Sequence, residues 1–157
     1  MAEKDHIRAR GYFEQSLKRF RQIGDRWESA SVLRDLGHLA SREEDYSRAS
    51  HEYREALAIF GDLGHQRGVA RVLEHMAGGA VAQDHYERAL KLLSAAAALR
   101  AKLGTPLSDA ERNELDRIIQ KASTSLSDVD KVNSWSEGYT MNLQAILEYA
   151  QAAEQGH

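Results

Sequence analysis

The sequence predicts an all-α fold built from repeated helix pairs, and three observations predict it. Matching residues recur at one offset: Gly24, Gly64 and Gly104 stand forty apart, as do Arg8, Arg48 and Arg88, and Ala9, Ala49 and Ala89. Between these markers apolar residues follow i, i+3, i+4, i+7 spacing, the period of a helix with one buried face. The chain of 157 residues holds a single proline, Pro106, is rich in Ala, Leu, Glu and Arg, and lacks long β-branched runs; such a composition favours helix.

The elements follow in order along one domain spanning 1–157. Residues 5–23 read as a half repeat, with Ala9, Phe13, Leu17 and Phe20 on one face. Residues 25–63 form a full repeat. Asp25 is a good N-cap, with Glu28 three residues on. Ala30, Leu33, Leu36, Gly37 and Ala40 make the first apolar stripe, and Gly37 reads as a notch into which a second helix packs. The chain turns near Asp45. Tyr46, Ala49, Tyr53, Ala56, Leu57 and Phe60 make the second stripe, and Gly64 suits the left-handed residue that ends a helix. Residues 65–103 repeat the plan, with Ala70, Val72, Leu73, Ala80, Tyr86, Ala89 and Leu93 in matching positions. Gly78-Gly79 has two readings: tolerance or close packing against the next repeat, or missing side chains that open the groove to a ligand backbone.

After Gly104 the register slips by two. Thr105-Pro106 breaks the helix, Ser108 and Glu111 form a capping-box pair, and residues 107–126 carry Leu115, Ile118, Ile119 and Ala122 in the roles of Leu33, Leu36, Gly37 and Ala40. Residues 128–153 read as a terminal cap, which a stack of repeats needs to cover its last apolar face. Val129, Val132 and Trp135 suggest a short helix ended by Gly138. Asn142 then starts a last helix, and Trp135, Met141, Ile146 and Tyr149 do the covering.

The pattern Leu33-x-x-Leu36-Gly37-x-x-Ala40 followed by Ala49-x-x-x-Tyr53 resembles the tetratricopeptide repeat (TPR), as does Leu73-x-x-Met76-Ala77-x-x-Ala80 followed by Ala89-x-x-x-Leu93. The resemblance implies a right-handed superhelix, an α-solenoid of about 2.5–3 helix pairs plus the C-terminal cap. The TPR period is usually about 34, so a forty-residue unit is a long-helix variety. HEAT repeats also run near forty, but they do not explain the small and aromatic placements. Residues 88–150, with Leu103-Gly104-Thr105-Pro106-Leu107, Trp135-x-Glu137-Gly138 and Met141, resemble the TPR region of bacterial STAND-ATPase and LuxR-type transcriptional regulators. That likeness implies a sensor or scaffold segment in signalling or transcription regulation.

Other classes are disfavoured. The net charge of −3 lacks the basic footprint that direct nucleic-acid binding wants. No apolar run approaches the ~20 residues of a membrane span. The charged stretch from Met1 to Arg10 does not read as a signal peptide, and the absence of cysteine points to the cytoplasm. Seven histidines form no His-Glu-x-x-His motif, and no P-loop or Gly-x-Ser-x-Gly elbow occurs. No enzyme activity, metal or cofactor is therefore expected.

What remains is recognition. First helices line the concave side of a TPR stack. The stripe facing away from the core there reads Trp27, Ser31, Arg34, His38, then Arg67, Arg71, Glu74, then Asn113, Asp116, Gln120. Arg34 and Arg71 suit a carboxylate, and Trp27 suits an apolar anchor, although packing on the preceding helix would equally use that tryptophan. A protein or peptide in this groove is the expected partner. A small ligand is the alternative. So is homo-oligomerisation through the half repeat, whose face with Phe13, Leu17 and Phe20 lacks a partner helix.

Overall fold

In a computed structural model of the chain, residues 3–152 are described. They form eight helices and, among the described residues, no strand: α1 (Glu3–Ile23), α2 (Arg26–Arg42), α3 (Tyr46–Asp62), α4 (Gln66–Ala82), α5 (Tyr86–Leu103), α6 (Asp109–Ser125), α7 (Asp128–Tyr139) and α8 (Leu143–Gln151). The all-α class expected from the sequence is the class observed. α4 and α5 begin forty residues after α2 and α3.

Two turns recur at that offset. Gly24, Gly64 and Gly104 take φ of 74°, 66° and 66°. The amide after each glycine donates five residues back: Asp25 to Phe20 and His65 to Phe60 at 2.9 Å, and Thr105 to Arg100 at 3.2 Å. These bonds satisfy carbonyls that a helix end leaves without partners. Within each pair the turn falls instead on Glu44 and Asp84, both at φ 62°, with Asp45 donating to Ala40 at 2.9 Å and His85 to Ala80 at 2.8 Å. The sequence marks this turn near Asp45 but hides its left-handed residue, because neither copy uses glycine. A side chain there costs about 1–2 kcal/mol. Glu44→Gly is accordingly expected to raise stability by about 1 kcal/mol in urea unfolding; an unchanged or lowered midpoint would contradict the assignment.

The described residues fall into two compact units that divide between Gly68 and Val69, inside the first turn of α4. In the first unit α2 packs on α1 and on α3. Asp25 caps α2 by accepting from the Glu28 amide at 3.0 Å, and Asp45 caps α3 through Arg48 at 3.2 Å. Ala30, Leu33, Leu36, Tyr53, Leu57 and Phe60 are buried. Gly37 is the notch the sequence predicts: a Cβ there would stand 2.5 Å from the Tyr53 ring. Leu17 is buried, while Phe13 and Phe20 are half-buried, so the α1 stripe expected to face another copy is largely covered within its own unit.

In the second unit α5 packs against α6 and α7, around Leu73, Leu92, Leu93 and Ile146. Ser108 and Glu111 complete the predicted capping box of α6, and Asn142 caps α8 through the Ala145 amide at 2.8 Å. Two readings are corrected. Gly138 does not end a helix; it lies buried inside α7, whose C-cap is Thr140. A Cβ on Gly138 would overlap Ser94 Oγ and the Lys91 carbonyl oxygen, so glycine is there to let α7 lie against the α5 backbone. The slipped register holds only in part: Leu115 and Ala122 are buried, but Ile118 and Ile119 are half-buried. At Gly78 an added Cβ would meet Ile118 at an ordinary 3.6 Å, so packing does not demand glycine at that position. Of the cap residues, Ile146 is buried, and Tyr149 lies under the Arg88 guanidinium at 5.1 Å and the Lys91 ammonium at 5.9 Å. Residue 153, the end of the predicted cap, lies outside the described residues.

Candidate protein-binding surface

The outward stripe of α2 carries Trp27, Ser31, Arg34 and His38 at helical spacing. Trp27 keeps 44% of its surface exposed, an unusual fraction for a tryptophan. It meets the His65 ring edge-on at 5.8 Å, and that ring in turn lies 5.4 Å from Phe60. His65 stands one repeat after Asp25 and takes over its role, since Nδ1 accepts from the Gly68 amide at 3.0 Å. The acceptor requires the tautomer with its proton on Nε2. Trp27 thus has one side against the turn before α4 and the other open to solvent. Arg67 is exposed beside this turn in sequence.

Arg34 does not present a free guanidinium. Its Nε and Nη2 donate to the neighbouring Asp35 at 3.3 Å and 3.2 Å. Ser31 and His38 are half-buried.

In the second unit the sequence reading of Glu74 is corrected. Glu74 is 2% exposed and belongs to the interior. Arg100 on α5 grips its carboxylate with Nε at 2.5 Å and Nη2 at 2.9 Å. Burial pulls the Arg100 guanidinium down, but the bonds and charge of Glu74 more than restore it, leaving it above the usual arginine value. Arg71 reaches Glu74 at 3.3 Å, Glu114 at 3.8 Å and Glu111 at 4.0 Å. It is a cross-brace between α4 and α6 and holds three carboxylates of its own chain. Burial pushes the Glu111 carboxyl up, but the Ser108 amide and the charges of Arg71 and Arg100 outweigh that and leave it below the usual range. Asn113, Asp116 and Gln120 on α6 are all exposed.

The structure therefore separates eight of the ten candidate residues into two sorts and leaves Ser31 and His38 half-buried between them. Trp27, Arg67, Asn113, Asp116 and Gln120 are available at the surface; Arg34, Arg71 and Glu74 are engaged within the fold. The sequence reading missed a largely apolar cleft of about 530 Å³ lined by Leu90, Ile119, Val132, Trp135 and Tyr139 together with Lys131. The exposed Val132 and Tyr139 lie along it. Trp135, assigned to the cap, hinted at it. Among the described residues, no three His, Asp or Glu side chains are grouped as a metal ion would need, and no helix is long and apolar enough to cross a membrane.

A chain that puts small residues at helix crossings and caps paired helices with Asp invites comparison with known repeats. Residues 1–62 match the tetratricopeptide repeat family. The TPR match takes in α1, α2 and all of α3, the part of the chain where Gly37 receives Tyr53. No curated protein and no solved structure matches the chain significantly. TPRs serve in general as protein-interaction scaffolds, which is the coarse function the match carries.

Proposed function

We propose that the chain is a non-catalytic scaffold module that binds a protein or peptide through the outward faces of its first helices. The observation that carries this reading is Trp27, a large side chain half in solvent on the first helix of a TPR. Buried aromatic anchors dominate most protein interfaces. On this proposal residues 1–157 are one long-repeat TPR domain wound as a right-handed solenoid. Its C-terminal resemblance suggests a sensor or interaction segment of a bacterial signalling or transcription regulator, working in the cytoplasm. Recognition rests on Trp27, Arg67, Asn113, Asp116 and Gln120, with Ser31 and His38 further along the α2 stripe.

The test is selection of peptides from a random displayed library, followed by affinity measurement on variants. Trp27→Ala is expected to weaken the selected peptides about tenfold or more. Peptides that bind Trp27→Ala and Arg67→Ala as tightly as the parent would remove this stripe from the account. One observation favours a second reading, a small apolar ligand: the cleft beside Trp135 and Tyr139 has the size of ligand pockets. A thermal-shift screen discriminates, because a ligand of this cleft stabilises the parent and not Trp135→Ala.

A further inference from the structure

We propose that α1 is an ionic latch, a helix docked on α2 and α3 chiefly by charge, which raised ionic strength releases while α2 and α3 stay folded. α1 runs for 21 residues, yet Leu17 is its one fully buried side chain, whereas α3 buries Ala49, Tyr53, Ala56, Leu57 and Phe60. The face of α1 around Leu17 carries Arg10, Glu14 and Arg21, spaced i, i+4, i+11. Opposite stand Arg48, Glu52 and Glu55 on α3, and Glu43 at the end of α2. Arg10 pairs with Glu43 at 3.0 Å and Glu52 at 3.7 Å, Glu14 with Arg48 at 2.7 Å, and Arg21 with Glu55. Four cross-helix pairs thus alternate in sign beside an apolar stripe of Ala9, Phe13, Leu17 and Phe20, of which only Leu17 is buried and the others are half-buried.

The strip is not a neutral piece of core. Burial pushes the Glu52 carboxyl above the usual range, and the Arg48 bond and the charges of Arg48 and Arg10 draw it only part of the way back. A buried charge held this way favours a defined register more than stability. The outer pairs, Arg21–Glu55 and Arg48–Glu14, have side chains about 40–50% exposed, where screening weakens such pairs. The α5–α7 contact in the other unit is held by different chemistry. There Gly138 sits against the α5 backbone, and the pair Lys91–Glu137 at 2.9 Å crosses the contact beside it. α7 is therefore an internal control: short, peripheral and closely packed rather than ionic.

The experiment is amide hydrogen exchange by mass spectrometry on the full chain, at about 0.01 M and about 1 M sodium chloride, between which the screening length falls from about 30 Å to about 3 Å. α1 is expected to exchange about tenfold faster in the higher salt, with α3 and α7 changing less than about twofold. α1 unchanged, or α1 and α3 accelerating together, overturns the proposal. A second arm uses charge. Glu55→Arg alone should loosen α1 in low salt, and adding Arg21→Glu should restore it. If Glu55→Arg leaves α1 protection as it was, the latch is not ionic.

Discussion

Gly138→Ala is expected to dislodge α7 from α5 and to cost about 3 kcal/mol, at the upper end for overpacking a core. The reason is what the new methyl would meet. One neighbour is Ser94 Oγ, which is buried; another is the Lys91 backbone, whose carbonyl carbon would lie 2.9 Å away, with the oxygen closer still. A side chain can rotate, but helical backbone cannot yield without shifting the whole element. Ser94→Ala should therefore fail to rescue Gly138→Ala, since it removes only the hydroxyl. Urea unfolding followed by circular dichroism gives both midpoints. A Gly138→Ala protein within about 0.5 kcal/mol of the parent would show that α7 does not approach α5 this closely.

Arg100→Leu is expected to cost about 3–5 kcal/mol, because it strands the Glu74 carboxylate in the interior. Arg71 remains 3.3 Å from Glu74, but it is already shared with Glu111 and Glu114. Replacing both partners, Glu74→Leu with Arg100→Leu, should recover most of the loss, since two apolar groups in place of an ion pair are often neutral. The comparison is a double-mutant cycle in urea. Additive single and double losses would mean that the two side chains do not act as a pair. The same result bears on recognition, for Glu74→Gln should change stability and leave peptide affinity alone.

These two sites also show where reading a sequence succeeds and where it stops. Features fixed within a few residues were legible. Asp25, Ser108 and Asn142 announce helix starts because a cap bond closes over three residues, and the forty-residue offset places α2 to α5. Gly37 was legible because the partner aromatic, Tyr53, belongs to the same repeat unit. Gly138 misled, since a glycine late in a short helix looks like a stop, and only the backbone of α5, more than forty residues earlier, explains it. Glu74 misled in the same way. It falls on the stripe that leaves the core, but the helix wheel of α4 contains no sign of Arg100 on α5. Arg34 and Arg71 are half-buried, and carboxylates on their own and neighbouring helices claim them. Charge pairing across helices is where a candidate site is least visible in the sequence, and it is also what binds α1 to its unit.

The claim on which the account rests is that first helices recognise and second helices support. Titrating a library-selected peptide into the nitrogen-15-labelled protein tests it most directly. Shifts are expected to concentrate on the Trp27 indole, the Arg67 amide and the exposed amides of α6, with α3 and α5 nearly still. Shifts centred on α3 or α5, with the Trp27 indole unmoved at saturation, would contradict it.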